Sequence, residues 1–480
     1  MAETDLRPLY LGGEWRICGD PLAVTNPATG ERIADVSTVN ADIMREAIAA
    51  AHQAFPAWRA LTGKERGAML RAVAVSLEAR VDEIARTITL ENGKPLGQSR
   101  GEVGMTVDHL GWFAEEARRA YGRVVPQQAA GKRHLVLKQP VGVVGAIAPW
   151  NFPLVLSVRK AAPALAAGCS VILKPASATP LCALMLAEAV HEAGLPKGVF
   201  QVVAGKASVI GGEMLANPLC RKISFTGSTE VGRELMRGGA DQIKKLSLEL
   251  GGHAPVLVFD DADLDQAVEG AVITKFRNTG QSCIACNRVY VQRGIAVAFL
   301  DKFVARAKAL KVGGGLEDGV DIGPLIDDAA LATALDHIED ARKNGADVLC
   351  GGERVQDAGA GPFLAPTVLA NVPAEAKCMR EETFAPVAPV VVFDTEAEAI
   401  THANDTRYGL AAYAFTTDVR RAWRLAEQLD AGTIGLNDAV PSTSQCPFGG
   451  TKESGLGREL GSEGLEAFLE TKHVSMGGID

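Results

Sequence analysis

Several things are missing from this chain, and each absence removes a class of function. No stretch supplies the roughly 18 clean apolar residues that a membrane-spanning helix needs. The most apolar run, Val141 to Leu173, is broken by Pro149, Asn151, Pro153, Arg159 and Lys160, so no membrane span is expected. No block of Lys and Arg stands out among 49 basic and 58 acidic side chains, and the formal charge is -9; no nucleic-acid surface is expected. The 9 cysteines are odd in number and lack a framework spacing, and the start MAETDLRPLY has no basic end followed by an apolar core. Both features point to a reduced, cytoplasmic protein. Low-complexity segments and internal repeats of fixed period are absent as well.

What is present is a chain of 480 residues with 47% hydrophobic content, enough for roughly two to three domains. Its 51 glycines exceed the usual share of about 7% and mark turns and candidate phosphate contacts. Residues 41 to 90 carry apolar positions at helical spacing (Ile43, Ile48, Leu70, Val73, Leu77, Ile84), interrupted near Pro56 and Gly63, and predict two or three helices. From residue 141 short apolar runs alternate with amphipathic ones: GVVGAIAP, Leu154 to Ala167, SVILKP, Leu181 to Ala193, GVFQVVAG, KISFTGS. A second such series follows Gly252: APVLVFDD, Leu264 to Phe276, NRVYVQRG, Val297 to Leu310, then ADVLCGG, APVVVFD and GTIGLND. This alternation predicts an α/β protein with two parallel sheets, ligands lying at strand carboxyl ends. Arg123 to Val141 and Glu470 to Met476 fit neither series and read as edge strands that a partner subunit would cover.

Chemistry is concentrated in a few phrases. FRNTGQSCIACNR sets Cys283 in a small, polar, glycine-containing segment, and LELGG ends an apolar strand on Glu249. A thiolate adds to a carbonyl and a carboxylate activates water, so the pair suits a reaction through a thioester. Alone, such a cysteine is more often a small buried hydrophobe. PWNFP holds the Asn151 amide between two prolines, suited to donating to an oxyanion, though an ordinary Asn turn has the same look. FTGSTEVG joins strand to helix through Gly227, with Gly232 one turn inside, and would present free N–H groups to a pyrophosphate. LKPAS places Lys174 at a strand end, and EETFAP sets Glu382 two residues before Phe384.

Together with PFGGTKESGLGRE, these phrases occur in an order that resembles the aldehyde dehydrogenase superfamily over nearly all 480 residues. The resemblance implies a Rossmann-type cofactor domain (1–122 and 142–250), an α/β catalytic domain (251–445), a small β oligomerisation flap (123–141 and 470–480) and a segment returning to the cofactor domain (446–469). It implies Cys283 as nucleophile, Glu249 as base, Asn151 with the Cys283 N–H as oxyanion donors, and Lys160 and Glu459 on a proton path. Trp150, Lys174, Ser177, Gly227, Ser228, Gly232, Glu382 and Phe384 would hold the dinucleotide. Ala385 stands where the family usually has glycine. No metal is implied, and a homodimer or homotetramer is.

Within the superfamily the chain is most similar to succinate semialdehyde dehydrogenases, through NFPLVLSVRKAAPALAAGC, FDDADLD and CPFGG. The resemblance makes Arg159, Arg277 and Ser442 the clamp on a distal carboxylate, and unpaired guanidiniums near a reactive cysteine suit an anionic substrate. It implies a small-molecule partner, an ω-carboxy aldehyde: succinate semialdehyde first, with glutarate semialdehyde or another aldehyde as alternatives. Neutral Ser177 sits where NAD-selective relatives often carry an acid, so NADP is the expected cofactor, with NAD as a second. Cys286, at C-x-x-C spacing from Cys283, is either a redox partner able to sequester the nucleophile or a buried filler. A rival reading, a cofactor-independent cysteine hydrolase, needs a histidine base, and only His253 lies close to a motif.

Overall fold

The alternating runs form two sheets in a computed structural model that describes residues 6–479. Residues 1–5 and 480, the outer ends of the expected cofactor domain and flap, lie outside it. The first sheet has the spatial order Phe200–Val202, Ser170–Lys174, Val143–Ile147, Cys220–Thr226, Lys245–Glu249, Gly455–Leu456. Its first five strands are parallel, and the returning Gly455–Leu456 closes the edge antiparallel. Successive strands run outward in one direction from Val143–Ile147 and then restart on its other side at Cys220–Thr226. The connections after these two strands therefore diverge, opening a crevice at their carboxyl ends. Helices on both faces explain why the strands are apolar throughout rather than alternating.

The second sheet has the order Asp347–Cys350, Thr367–Ala370, Val387–Phe393, Cys286–Gln292, Ala254–Val258, Ala411–Phe415, Thr433–Leu436. Only Leu250 to His253 separate Lys245–Glu249 of the first sheet from Ala254–Val258 of the second, so one sheet's carboxyl edge faces the other's amino edge. Cys286–Gln292 pairs beside Ala254–Val258, which delivers the segment before it, with Cys283, to that junction. The approach is close: a Cβ on Gly252 would sit 2.1 Å from the Cys283 carbonyl oxygen, so only glycine fits there.

Helices Ala41–Ala60, Gly63–Ala79, Val81–Asn92 and Leu96–Glu116 precede the first sheet. Pro56 does not interrupt the first of them as its position in the sequence predicts. It faces solvent, and burial of Met44, Ile48, Ala51 and Trp58 carries the helix through it. The two outlying segments make a three-stranded sheet, Leu469–Gly477, Lys132–Pro140, Arg123–Val125. Lys132–Pro140 is thus the central strand and not an edge, because Arg123–Val125 folds back to pair with it. Among the described residues no helix is long and apolar enough to cross a membrane.

Candidate active site

At the crevice lies a hollow of about 210 Å³ lined by Pro149, Trp150, Asn151, Thr226, Gly227, Ser228, Leu250, Gly251, Cys283, Glu382 and Phe384. The first sheet supplies the connections after three of its strands; the second supplies Cys283 and the Glu382–Phe384 turn. Cys283 is half-buried, and burial pushes its thiol up to about 12, with Glu382 adding and Arg159 opposing. The chain reaches it through consecutive left-handed residues, Asn278 (φ 51°), Thr279 (φ 59°) and Gly280 (φ 74°). Such backbone costs about 1–3 kcal/mol per non-glycine residue and persists only where surroundings enforce it. Here the Asn278 N–H donates to Gln98 Oε1 (2.8 Å), Thr279 Oγ1 donates to the Gly323 carbonyl (3.1 Å), and Gln281 Oε1 accepts from the Ile326 N–H (2.9 Å).

Asn151 is buried, and its Nδ2 donates to the Gln281 carbonyl at 3.1 Å. An amide carries two donor hydrogens, so one remains for the hollow. The backbone carbonyl of Asn151 accepts from Lys94 Nζ (2.7 Å) and Asn278 Nδ2 (2.9 Å). Lys94 in turn pairs with Glu102 at 2.6 Å, both without exposure. Glu102 Oε1 accepts from the Leu154 and Val155 N–H groups at 2.9 and 3.2 Å, an anion at the positive end of helix Pro153–Ala167. Sequence reasoning missed this pair. Its one local signal was a carboxylate at Glu102 on the face that buries Val103, Thr106, Leu110 and Phe113.

Glu249 ends its strand opposite Thr226, with Oε2 buried and unpartnered. Burial first and Glu459 second hold its carboxyl well above the usual range, against Lys160, Arg159 and Arg458. Lys160 Nζ sits 2.5 Å from Glu459 Oε1 and donates to Thr226 Oγ1 at 2.5 Å. Glu459 Oε2, like Glu249 Oε2, has no partner. A buried cluster of two carboxyl groups and one ammonium thus backs the hollow.

Arg159 Nη2 donates to Ser442 Oγ at 3.0 Å, and its guanidinium lies 4.7 Å over the Phe448 ring, with Nε unpartnered. Arg277 stacks 5.3 Å from the Phe152 ring centre and reaches Met105 Sδ at 3.8 Å. Burial draws both below the usual arginine range. Among the described residues neither has a carboxylate within 4.0 Å, although Glu102 bears on both charges; the structure sets Ser442 on Arg159 and brings Arg277 close enough for the two guanidiniums to repel each other.

Ser228 caps helix Thr229–Gly239 by accepting from the Val231 N–H at 3.3 Å, and a Cβ on Gly232 would meet Leu250 at 2.6 Å. Glu382 Oε1 accepts from the Gly252 N–H at 3.0 Å, and burial lifts its carboxyl to about 7. Phe384 (φ 51°) meets Trp150 edge-on at 5.6 Å. The left-handed residue of that turn is Phe384 and not Ala385, so alanine fits where the family pattern has glycine. Lys174 is buried at the end of its strand and donates to the Pro175 carbonyl at 3.2 Å. Ser177 is exposed and lines a separate, wider hollow with Thr38, Asn40, Gly205 and Lys206.

Two sequence candidates lie elsewhere. Cys286 opens its strand with no exposure, packed in the second sheet's core with Phe276 and Val289, whereas Cys283 opens to the hollow. His253 is buried with Nε2 at 3.1 Å from the Cys378 carbonyl and does not line the hollow that holds Cys283.

Residues 16–474 match the model of the aldehyde dehydrogenase family. The chain is 51% identical over 469 residues to the succinate-semialdehyde dehydrogenase [NADP(+)] GabD of Escherichia coli, covering 97% of each. It is 51% identical over 467 residues to the glutarate-semialdehyde dehydrogenase of Pseudomonas putida, covering 97% of this chain and 96% of that one. A crystal structure of an E. coli NADP-dependent enzyme superposes with a TM-score of 0.97 at 50% identity, covering 98% of both chains.

Proposed function

The chain belongs to the aldehyde dehydrogenase family, and from that premise we propose that it oxidises an ω-carboxy aldehyde, succinate semialdehyde, to the dicarboxylate with NADP as the preferred acceptor. The observation that carries the substrate class is a pair of neighbouring guanidiniums, buried Arg159 and half-buried Arg277, neither with a carboxylate in ion-pair contact among the described residues. Unpaired buried charges are costly unless a ligand completes them, and a distal carboxylate does so.

The hollow beside Cys283 would receive the dinucleotide's reactive end. Trp150, Glu382 and Phe384 would hold the nicotinamide ribose, Gly227, Ser228 and Gly232 the pyrophosphate at a helix amino end, and Lys174 and Ser177 the adenosine ribose. When bound, it supplies the acceptor for the hydride released at the aldehyde carbon. Exposed Ser177 places no acid against a 2′-phosphate, which favours NADP while leaving NAD usable. Cys283 Sγ attacks the aldehyde carbon. Because burial disfavours a resting thiolate, its proton leaves to a base as the bond forms. Asn151 Nδ2 and the Cys283 N–H receive the oxyanion, and collapse leaves a thioester on Cys283. Glu249, whose environment raises its proton affinity, then takes a proton from water, and hydroxide releases the acid. Glu459 and Lys160 lead that proton away. The unpaired outer edge of Leu469–Gly477 supports assembly as a homodimer or homotetramer, and nine unbridged cysteines support a cytoplasmic setting.

The test is a panel of ω-oxo acids and neutral aldehydes assayed with NADP and NAD. Preference for succinate semialdehyde over butanal is expected, as is loss of oxidation with intact cofactor binding in Cys283→Ala. Equal efficiency on butanal, or near wild-type turnover without the thiol, would overturn the proposal.

A further inference from the structure

Helix Leu96–Glu116 packs against helix Pro153–Ala167, which carries Arg159. Its inward face presents Glu102, Met105 and His109, spaced so that all three line up along one side. Glu102 holds the start of the facing helix, and Met105 touches Arg277. His109 is 3% exposed, and its Nδ1 has no hydrogen-bond partner among the described residues. Arg159, whose charge bears on His109, has an unpartnered Nε in the same region. Buried polar atoms almost always find partners. Two such orphans, His109 Nδ1 and Arg159 Nε, on facing helices mark a place where a ligand would supply the missing acceptors.

Burial pushes the His109 imidazole down to about 2, with Arg159 adding to the effect. A neutral imidazole has one N–H, and the ligand selects which nitrogen carries it. A carboxylate is an acceptor only, with lone pairs for several donors.

We infer that His109 is a specificity-determining contact of the substrate pocket, donating Nδ1–H to the same anionic tail that Arg159, Arg277 and Ser442 bind. The inference rests on the ω-carboxy aldehyde reading and extends it to a residue on a different helix. The imidazole adds a donor without adding a third charge, and a site that hydrogen-bonds a substrate group discriminates strongly against analogues lacking it.

The experiment compares kcat/KM for succinate semialdehyde and for butanal, at saturating NADP, in wild type, His109→Phe and His109→Asn. The Phe variant fills the site without a donor, and Asn returns an amide near the Nδ1 position. His109→Phe is expected to lower efficiency on succinate semialdehyde about tenfold through KM while leaving butanal within twofold. His109→Asn should recover most of that loss. If the Phe variant fails to fold, His109→Leu takes its place. Equal losses on both substrates, or an Asn variant no better than Phe, would make His109 a packing residue and overturn the inference. A wild type that does not prefer succinate semialdehyde refutes the functional reading itself. A wild type that does, with the preference intact in His109→Phe, refutes only the role of His109.

Discussion

Arg277→Met separates a substrate-binding arginine from a structural one more cleanly than any other substitution in the pocket. Arg277 contacts the Phe152 ring and Met105 Sδ and, among the described residues, has no carboxylate within 4.0 Å; the nearby Glu102 is already engaged by Lys94. Methionine keeps the volume and removes a half-buried charge. The lost cation–π contact, about 0.5–1 kcal/mol, is offset by relief of desolvation, so Tm should stay within a few degrees. A hydrogen bond to a charged group is worth about 1.5–3 kcal/mol, and about 1.4 kcal/mol is tenfold. Efficiency on succinate semialdehyde should therefore fall roughly 10- to 150-fold, mostly in KM, while butanal, with no tail charge, stays within about twofold. Arg159→Met should behave differently, because the charge of Arg159 also stabilises ionised Glu249 and Cys283. It should cost turnover on both substrates. Steady-state kinetics on the two aldehydes, with thermal melts of each variant, decide the matter. A proportional loss on butanal in Arg277→Met, or a large drop in Tm, would refute the clamp and make this arginine structural.

Glu249→Gln should retain a rapid burst of NADPH followed by a slow steady state, since the amide blocks deacylation more than acylation; a slowed first turnover without a burst contradicts that division. Wild-type deacylation should also fall with decreasing pH through the raised value of Glu249, because the base works only when unprotonated. If Glu382, raised to about 7, accepts the nicotinamide ribose hydroxyls as proposed, NADP affinity should weaken as pH drops through that value. Glu382→Gln should flatten the profile, and an unchanged profile in the variant would discount the contact. Ser177→Glu should shift the NADP/NAD efficiency ratio roughly tenfold toward NAD by repulsion of the 2′-phosphate across a solvent-exposed site; an unaltered ratio would sink the assignment.

Much of the scaffold was legible because period and local chemistry reported it. The runs GVVGAIAP, SVILKP and KISFTGS became adjacent strands of the first sheet, and Leu264–Phe276 is a helix with the bounds its apolar spacing predicts. Thr367–Ala370 and Ala411–Phe415 escaped notice, since TVLA and AAYAF are too short and too rich in alanine to separate strand from helix by period. Pro56 and Lys132–Pro140 were misjudged for a shared reason. Whether a proline breaks a helix, or a strand lies at an edge, depends on which surface the rest of the chain covers. Lys94, Glu102 and His109 were illegible for a stronger reason. Each gains its meaning from residues far along the chain, Asn151, Leu154 and Arg159, and spacing shows which face a residue occupies but not what it meets there.

The buried Lys94–Glu102 pair is the clearest case of structure serving the site at the expense of economy. Two ions without exposure rarely stabilise a fold more than well-packed apolar residues would, so stability alone does not account for them. Their remaining hydrogen bonds do. Lys94 holds the Asn151 carbonyl, and Glu102 holds the first N–H groups of the helix that begins immediately after it. That helix carries Arg159 and Lys160 on consecutive residues, one turned to Ser442 and the other to Glu459. The proposed oxyanion donor, Asn151, two residues before that helix, and one member each of the proposed tail clamp and proton relay, Arg159 and Lys160 within it, therefore depend on a helix start pinned by a single ion pair. An apolar pair of equal volume would satisfy the core yet release the Asn151 turn, and displacements of about 1 Å in a positioned group are enough to cost about a hundredfold in rate.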